Sequence, residues 1–303
     1  MEYREIGNSG IKVSSICLGT MNFSNPVNHQ DSIKMLHWSL DHGINFIDTA
    51  DIYEGYDRVL GSPGGKAELI IGDGLKNKRH QAIITTKVGN HVGSKEYEGM
   101  GLGEKHITHQ INASLNRMNT DYVDIYELHK PDPETPLIET LSVIDKLIEV
   151  GKVRVWGFSN FNTDQIGEII MICKENGWQT PVINQPLYNW LIRDIEESQI
   201  PICLEKNISI TPYRPLERGL LTGKYKRGEA PPPNTRGSEM PSSLNIDELS
   251  KDSYDELEMF ESEAKQSNLS PAQYAIKWLL EKPGICSVVI GGKKIAQLNE
   301  FLT

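Results

Sequence analysis

Phe46-Ile47-Asp48-Thr49-Ala50-Asp51-Ile52-Tyr53 is the stretch whose reading decides the fold. Phe46 and Ile47 read as the end of a buried strand, and the polar residues after them fall where such a strand leaves its sheet. If the chain turns there, Asp48 and Tyr53 face one pocket. A carboxylate can hold a cation, and a phenol can donate a proton. Taken alone, the stretch fits a capping aspartate and a packing tyrosine equally well. A cation and a second proton-handling group at equivalent places elsewhere would separate the two readings.

Working outward, the same unit repeats. Upstream, the apolar run from Ile16 to Leu18 ends at Gly19-Thr20-Met21, and an amphipathic segment from Ser32 to Asp41 is stopped by His42-Gly43. Downstream, strands are expected at Ala82 to Thr86, Tyr122 to Leu128, Val153 to Gly157, Val182 to Asn184, Ser209 to Pro212 and Ser287 to Ile290. Helices alternate with them at Lys66 to Leu75, Ile107 to Met118, Leu137 to Val150, Thr163 to Asn176 and Pro201 to Lys206. Two more follow at Leu257 to Ser267 and Pro271 to Leu280, and a last one at Ile295 to Phe301.

Eight alternating units imply an α/β fold of the (β/α)8 TIM-barrel type, a single domain over residues 1–303. An open doubly wound sheet is the competitor, but the glycine-rich phosphate turn it usually carries after its first strand is not present. Tyr3 to Ile6 and Lys12 to Ile16 flank Gly7-Asn8-Ser9-Gly10, which suggests an N-terminal β-hairpin within residues 1–16. The tracts Gly61 to Gly65, Val88 to Leu102 and Glu229 to Pro241 read as long loops on the rim.

Composition narrows the function classes. The 31 Lys and Arg against 41 Asp and Glu give a net charge of -10, which argues against nucleic-acid binding. Four scattered cysteines, Cys17, Cys173, Cys203 and Cys286, read as buried thiols of a reducing compartment. No leader pattern and no window of transmembrane length is visible, so a cytoplasmic protein with no membrane partner is expected.

In a barrel of this kind, Asp48, Tyr53, Lys87 and His129 all follow strands at the end where the mouth forms. Lys87 beside Tyr53 would favour the phenolate and lower the tyrosine pKa, with Asp48 compensating the buried ammonium. His129 would bond the substrate oxygen or relay a proton. A metal is not expected, because His129 has no neighbour at ligand spacing. Each residue alone also fits an ordinary solvent-facing or loop position; their complementary jobs are what favour chemistry.

Three longer segments strengthen this reading. Glu127-Leu128-His129-Lys130-Pro131-Asp132, Gly151-Lys152-Val153-Arg154-Val155-Trp156-Gly157-Phe158-Ser159-Asn160-Phe161 and Gly219-Leu220-Leu221-Thr222-Gly223-Lys224-Tyr225 resemble the signature segments of the aldo-keto reductases. Phe46 to Tyr53 resembles that family's N-terminal signature, and the hairpin is similar to the one that closes its barrel bottom. The resemblance runs from Gly19 to the last residues.

The resemblance implies hydride transfer from a reduced nicotinamide cofactor to an aldehyde or ketone. NADP(H) is favoured and NAD(H) is left open. Tyr53 would be the general acid, Lys87 and Asp48 would tune it, and His129 would orient the carbonyl. Ser159, Asn160 and Gln185 would hold the carboxamide, and Tyr213 would stack on the nicotinamide. Gly19, Thr20, Met21, Asp48, Arg214, Pro215, Leu216, Gly219, Leu221 and Lys224 complete the nicotinamide and pyrophosphate side. Ile290, Gly291, Gly292, Lys293, Gln297 and Glu300 would form the adenosine side, with Lys293 or Lys294 attracting a 2'-phosphate. Met21, Phe23 and Trp190 are expected beside Tyr53 and His129 as walls of the substrate pocket.

The chain departs from the family pattern at Arg214 (usually serine) and Phe301 (usually asparagine), and in the longer glycine-rich segment from Glu54 to Leu69. Its last helix is expected to run to Thr303, leaving a more open pocket. A small carbonyl or alcohol is the expected partner, for a monomer or weak homo-oligomer. The competing expectation is a cofactor-binding regulatory subunit with little turnover.

Overall fold

Alternation along short strands explains the centre of the molecule: residues two apart point into the barrel, and those between them meet the helices. The structure, a computed structural model, describes residues 1–93 and 97–302. The chain opens with β1 (Tyr3–Glu5), β2 (Lys12–Ser14) and β3 (Ile16–Gly19), followed by α1 (His29–Asp41) and β4 (Phe46–Asp48). Next come α2 (Lys66–Gly74), β5 (Ile83–Val88), β6 (Val92–Gly93), β7 (Glu98–Gly99), α3 (Glu104–Met118) and β8 (Val123–Leu128). Then follow α4 (Leu137–Glu149), β9 (Val153–Ser159), α5 (Thr163–Asn176), β10 (Ile183–Gln185), α6 (Gln199–Glu205) and β11 (Ser209–Ile210). The chain finishes with α7 (Arg236–Glu239), α8 (Lys251–Gln266), α9 (Pro271–Leu280), β12 (Val288–Ile290) and α10 (Ile295–Asn299).

Eight strands lie parallel in the order β11-β10-β9-β8-β5-β4-β3-β12. The two ends meet. Ile210 bridges Ile285 in parallel, the Ile210 N–H donates to the Gly284 carbonyl at 2.8 Å, and the Cys286 N–H donates to the Ile210 carbonyl at 2.9 Å. This is the (β/α)8 barrel expected from the repeat, with the antiparallel β1–β2 hairpin beneath it.

The hairpin seals the end opposite the mouth. Ile6, Ile11 and Val13 pack with the inward residues Cys17, Phe46, Ile125, Val155 and Ile183. Burying each of those three hairpin side chains stabilises the fold by about 1.5–3 kcal/mol. Polar ties add register: the Gly7 N–H donates to Ser209 Oγ at 2.8 Å, and Arg4 Nη1 donates to the Ile285 carbonyl at 2.8 Å. Gly7 has φ of 49°, and a Cβ there would come within 2.6 Å of the Asn207 carbonyl oxygen. All four cysteines are buried free thiols.

Helix starts follow the capping chemistry of the sequence. Asn162 and Gln165 form a capping box on α5, and Ser270 and Gln273 form one on α9, which has Pro271 at its first turn. Several boundaries differ from expectation. Lys87, Ser159 and Gln185 lie inside their strands rather than just beyond them, because ladder pairing extends to the last residue facing the mouth. α8 begins at Lys251, its start masked in the sequence by the polar run around its N-cap Ser250.

The tract 229–241 is not wholly loop, since Thr235 caps the short α7. In the tract 88–102, β6 and β7 pair; residues 94–96 and Thr303 lie outside the described residues, and α10 ends at Asn299, short of its expected end. Among the described residues no helix is long and apolar enough to cross a membrane.

Candidate active site

β4, β5 and β8 bring Asp48, Lys87 and His129 to one end of the barrel, and the turn after β4 returns Tyr53 to the same place. Register does the positioning: Asp48 pairs with Thr85, and Lys87 is set two residues further up β5, on the same inward side. Lys87 Nζ donates to Asp48 Oδ1 at 2.5 Å, to the Thr49 carbonyl at 2.8 Å and to the Tyr53 hydroxyl at 3.4 Å. All three ammonium protons therefore have acceptors, and one acceptor is the phenol. The His129 ring stands edge-on to that of Tyr53, with centroids 6.1 Å apart.

Burial and charge set the protonation states. Burial opposes the Lys87 ammonium, but Asp48, Tyr53 and Glu127 outweigh it and raise the lysine pKa. Burial and the cations Lys87 and Lys130 hold His129 well below the usual imidazole value, so the ring is neutral at physiological pH. The neutral ring can donate one N–H, and its Nδ1 is buried without a partner among the described residues.

Tyr53 corrects the sequence reading. Its pKa is raised to about 12: burial dominates, Lys87 lowers the value, and Asp48 adds back to the rise. The ring keeps partial exposure toward the mouth, so water there moderates the burial effect. Lys87 therefore acts by limiting the rise and by stabilising the phenolate once a proton has left.

A second network lies beside the first. Gln185 Nε2 donates to Asp48 Oδ1 at 2.8 Å, and Ser159 Oγ donates to the Gln185 carbonyl at 2.6 Å. Asn160, held at φ of 64°, donates from Nδ2 to Ser159 Oγ and to the His129 carbonyl, both at 2.9 Å. The Tyr213 hydroxyl donates to Asn160 Oδ1 at 2.9 Å. Amide donors, amide acceptors and a flat aromatic face thus converge next to the tetrad. At the end of β3, the Thr20 N–H and hydroxyl both donate to the Asp48 carbonyl at 2.9 Å, while Met21 remains exposed.

The residues present fit a dinucleotide. Arg214, Glu217, Arg218 and Gly219 all have positive φ in one tightly turned loop, in which the Glu217 and Gly219 N–H groups bond the Arg214 and Leu216 carbonyls and two arginines are left along its rim. Arg218 is held below its usual value by burial and then by the like charges of Arg214 and Arg236, crowding that an anion would relieve. Pro215 is buried and Leu216 half-buried in this loop. Leu221 is fully buried in a satellite core with Tyr225 and Phe260, and its N–H bonds the Leu216 carbonyl, so its side chain does not face a ligand as expected. Lys224 stands over the Tyr225 ring.

The adenosine side differs more from expectation. Lys293 is engaged rather than free: its Nζ donates to Glu239 Oε2 at 2.5 Å and stands 5.5 Å from the Tyr56 ring centroid. Arg236 also stands over that ring, 5.8 Å from its centroid. Gln297 Oε1 accepts from the Lys293 and Lys294 N–H groups, capping α10. Ser270 Oγ donates to Glu300 Oε1 at 2.5 Å. Glu300 and Phe301 also line a cavity of about 490 Å³ with Met1, Arg4 and Ser15, next to the hairpin and away from the mouth. Gly291 and Gly292 follow the buried Ile290, and Asn22 Nδ2 donates to the Gly292 carbonyl at 3.3 Å.

Of the expected pocket walls, Met21 is open at the mouth, but Phe23 is 1% exposed and packs in the main core. Trp190 leans on Phe260, with ring centroids 5.2 Å apart, at the edge of the satellite core. Sequence reasoning passed over Glu127, which is fully buried in the barrel and accepts from Thr85 Oγ1 at 3.0 Å. The period of two was the available signal, since residue 127 shares an inward face with residue 129.

With this geometry in hand, comparison with known proteins gives a consistent answer. The family model described as Aldo/keto reductase family matches residues 15–303. The chain belongs to the aldo/keto reductase family. Proteins of Arabidopsis thaliana and Oryza sativa subsp. japonica named "Probable voltage-gated potassium channel subunit beta" are 31% and 30% identical to it over 305 residues. Each alignment covers 99% of this chain and 90% of the relative. A Schizosaccharomyces pombe protein with the same subunit-beta designation is 33% identical over 308 residues, covering 98% of this chain and 86% of its own length.

Proposed function

We propose that this chain reduces an aldehyde or ketone to an alcohol with NADPH, and with NADH less favourably. The observation that carries the reading is the placement of Lys87 Nζ between Asp48 Oδ1 and the Tyr53 hydroxyl at the barrel mouth. When bound, the nicotinamide supplies the hydride. Ser159, Asn160 and Gln185 would hold its carboxamide, Tyr213 would offer its face, and the loop from Arg214 to Lys224 would hold the pyrophosphate. Arg218 and Arg236 join Lys293 as the cations that could meet a further phosphate.

The protein's own part is a proton transfer. The neutral His129 ring donates an N–H to the carbonyl oxygen and orients it. As negative charge develops there, Tyr53 gives up its proton, and the adjacent ammonium of Lys87 stabilises the phenolate left behind. Asp48, held by Lys87 and Gln185, keeps the lysine charged and in place. In the oxidation direction the same phenolate accepts the alcohol proton. A small carbonyl or alcohol partner, cytoplasmic residence and a monomer or weak homo-oligomer complete the proposal.

The names of the relatives support a second reading, a cofactor-binding subunit of a larger assembly with little turnover. One experiment separates the two. Nicotinamide absorbance is followed with NADPH and then NADH against a panel of small aldehydes and ketones. Sustained turnover supports the reductase; tight cofactor binding without turnover across the panel moves the assignment to the subunit.

A further inference from the structure

One buried ionisable group close to the tetrad has no part in the proton transfer just described. Glu127 on β8 is the cross-strand partner of Lys87 on β5 and of Gly157 on β9. Gly157 contributes no side chain, and a Cβ there would come within 2.2 Å of Ile183 Cγ2. Glu127 is 0% exposed. Its Oε1 accepts from Thr85 Oγ1, while its Oε2 is buried with no partner among the described residues.

The ionisable groups around it are Lys87 on β5, Asp48 on β4, Tyr53 in the turn after β4 and Cys17 on β3. Two buried carboxyls therefore neighbour one ammonium, and only Asp48 is bonded to it. Asp48 already holds that ammonium at 2.5 Å, accepts from Gln185 as well, and has the shorter claim on it. Glu127 is the member that takes a proton, because two like charges at one buried cation cannot both form cheaply. Its unpartnered Oε2 is where that proton would sit.

We propose that Glu127 is a positioning residue for carbonyl reduction, a second carboxyl beside Lys87 on the neighbouring strand whose neutral form strengthens Tyr53 as an acid and whose ionised form weakens it. This rests on the reductase reading above. The neutral form leaves the Lys87 charge directed at Asp48 and Tyr53. The ionised form draws on the same charge and adds a negative field at the phenol, which raises the cost of making a phenolate. Burial pushes the Glu127 carboxyl up to about 8, with Lys87 opposing and Asp48 adding to the rise. The switch therefore falls within the working range of an enzyme.

The test is the pH profile of kcat/KM for reduction in the cofactor-loaded enzyme, with Glu127→Gln beside the parent. The parent should lose roughly three- to tenfold in a step on the mildly alkaline side, ahead of the tyrosine limb. Glu127→Gln should lose that step and keep the higher plateau, with cofactor affinity unchanged. Thr85→Val removes the hydroxyl that supports the ionised carboxylate, and should move the step to higher pH; it carries the test if the glutamine variant fails to fold. Profiles of identical shape in parent and variants overturn the proposal, since a merely structural glutamate changes stability and not the step.

Infrared difference spectra of the same holoenzyme between about pH 6 and about pH 10 read the carboxyl without turnover. A protonated-carboxyl band that titrates in the parent and is absent from Glu127→Gln is expected. Turnover without that band overturns the role of Glu127; the band without turnover overturns the reductase reading instead.

Discussion

Lys87 Nζ approaches Asp48 Oδ1 to 2.5 Å, with the lysine side chain 0% and the aspartate side chain 3% exposed. A buried pair of this kind costs most when only one partner is removed. Lys87→Met is expected to destabilise the fold by about 3–5 kcal/mol and to lower turnover at least about a hundredfold. The double variant Asp48→Asn/Lys87→Met should recover much of the stability and none of the activity. Urea denaturation beside steady-state rates checks both halves.

His129 makes stability depend on acid. Its folded-state pKa is depressed, first by burial and then by Lys87 and Lys130. Its contribution is therefore present above the unfolded value of about 6.5 and is lost as pH falls below it. His129→Asn should remove that share of the loss. The stability gap between parent and variant, from denaturant midpoints at about pH 7.5 and about pH 5, should shift toward the variant at the lower pH.

Outside the mouth, Arg117 Nε donates to Glu68 Oε2 at 2.6 Å, and Thr86 Oγ1 donates to the other carboxylate oxygen at 2.5 Å. Glu68 is fully buried, whereas Arg117 keeps 17% side-chain exposure. Arg117→Met should cost about 3 kcal/mol, the low end for a broken buried pair, because water reaches the guanidinium side. The rate per folded molecule should stay close to the parent's. A thermal melt and an active-site-normalised assay check this.

Arg218 is crowded by Arg214 and Arg236 in the loop after β11. Arg218→Ala should weaken cofactor binding by about tenfold or more, the loss of one charge-assisted hydrogen bond. Quenching of protein fluorescence by NADPH and by NADH measures it. A larger loss for NADPH places Arg218 at the extra phosphate; equal losses place it at the pyrophosphate.

The barrel was legible because its signal is local and repeated. Each strand is a short apolar run, and each helix carries a stop or a cap, as Gly177 after α5 and Ser270 before α9 show. Asp48, Tyr53, Lys87 and His129 could be placed together because the topology sends every strand end to one mouth.

What sequence could not weigh was competition inside the site. A lysine near a tyrosine suggests an acidified phenol, but burial outweighs that attraction for Tyr53. Lys293 was read as a phosphate ligand without sight of Glu239, distant in sequence, which pairs with it at the surface. Phe23 looked like a pocket wall because its segment is at the mouth, yet its ring turns into the core. Glu127 was hidden in a motif read for its histidine.

Single-turnover reduction of a carbonyl by the NADPH-loaded parent and by Tyr53→Phe tests the central claim most directly, with cofactor affinity measured on the same samples. A loss of about 10²–10⁴-fold in the phenylalanine variant, with cofactor affinity unchanged, is the predicted result. Equal rates in the two proteins would contradict the assignment of Tyr53 as the proton donor, and no binding of either nicotinamide cofactor would contradict the function itself.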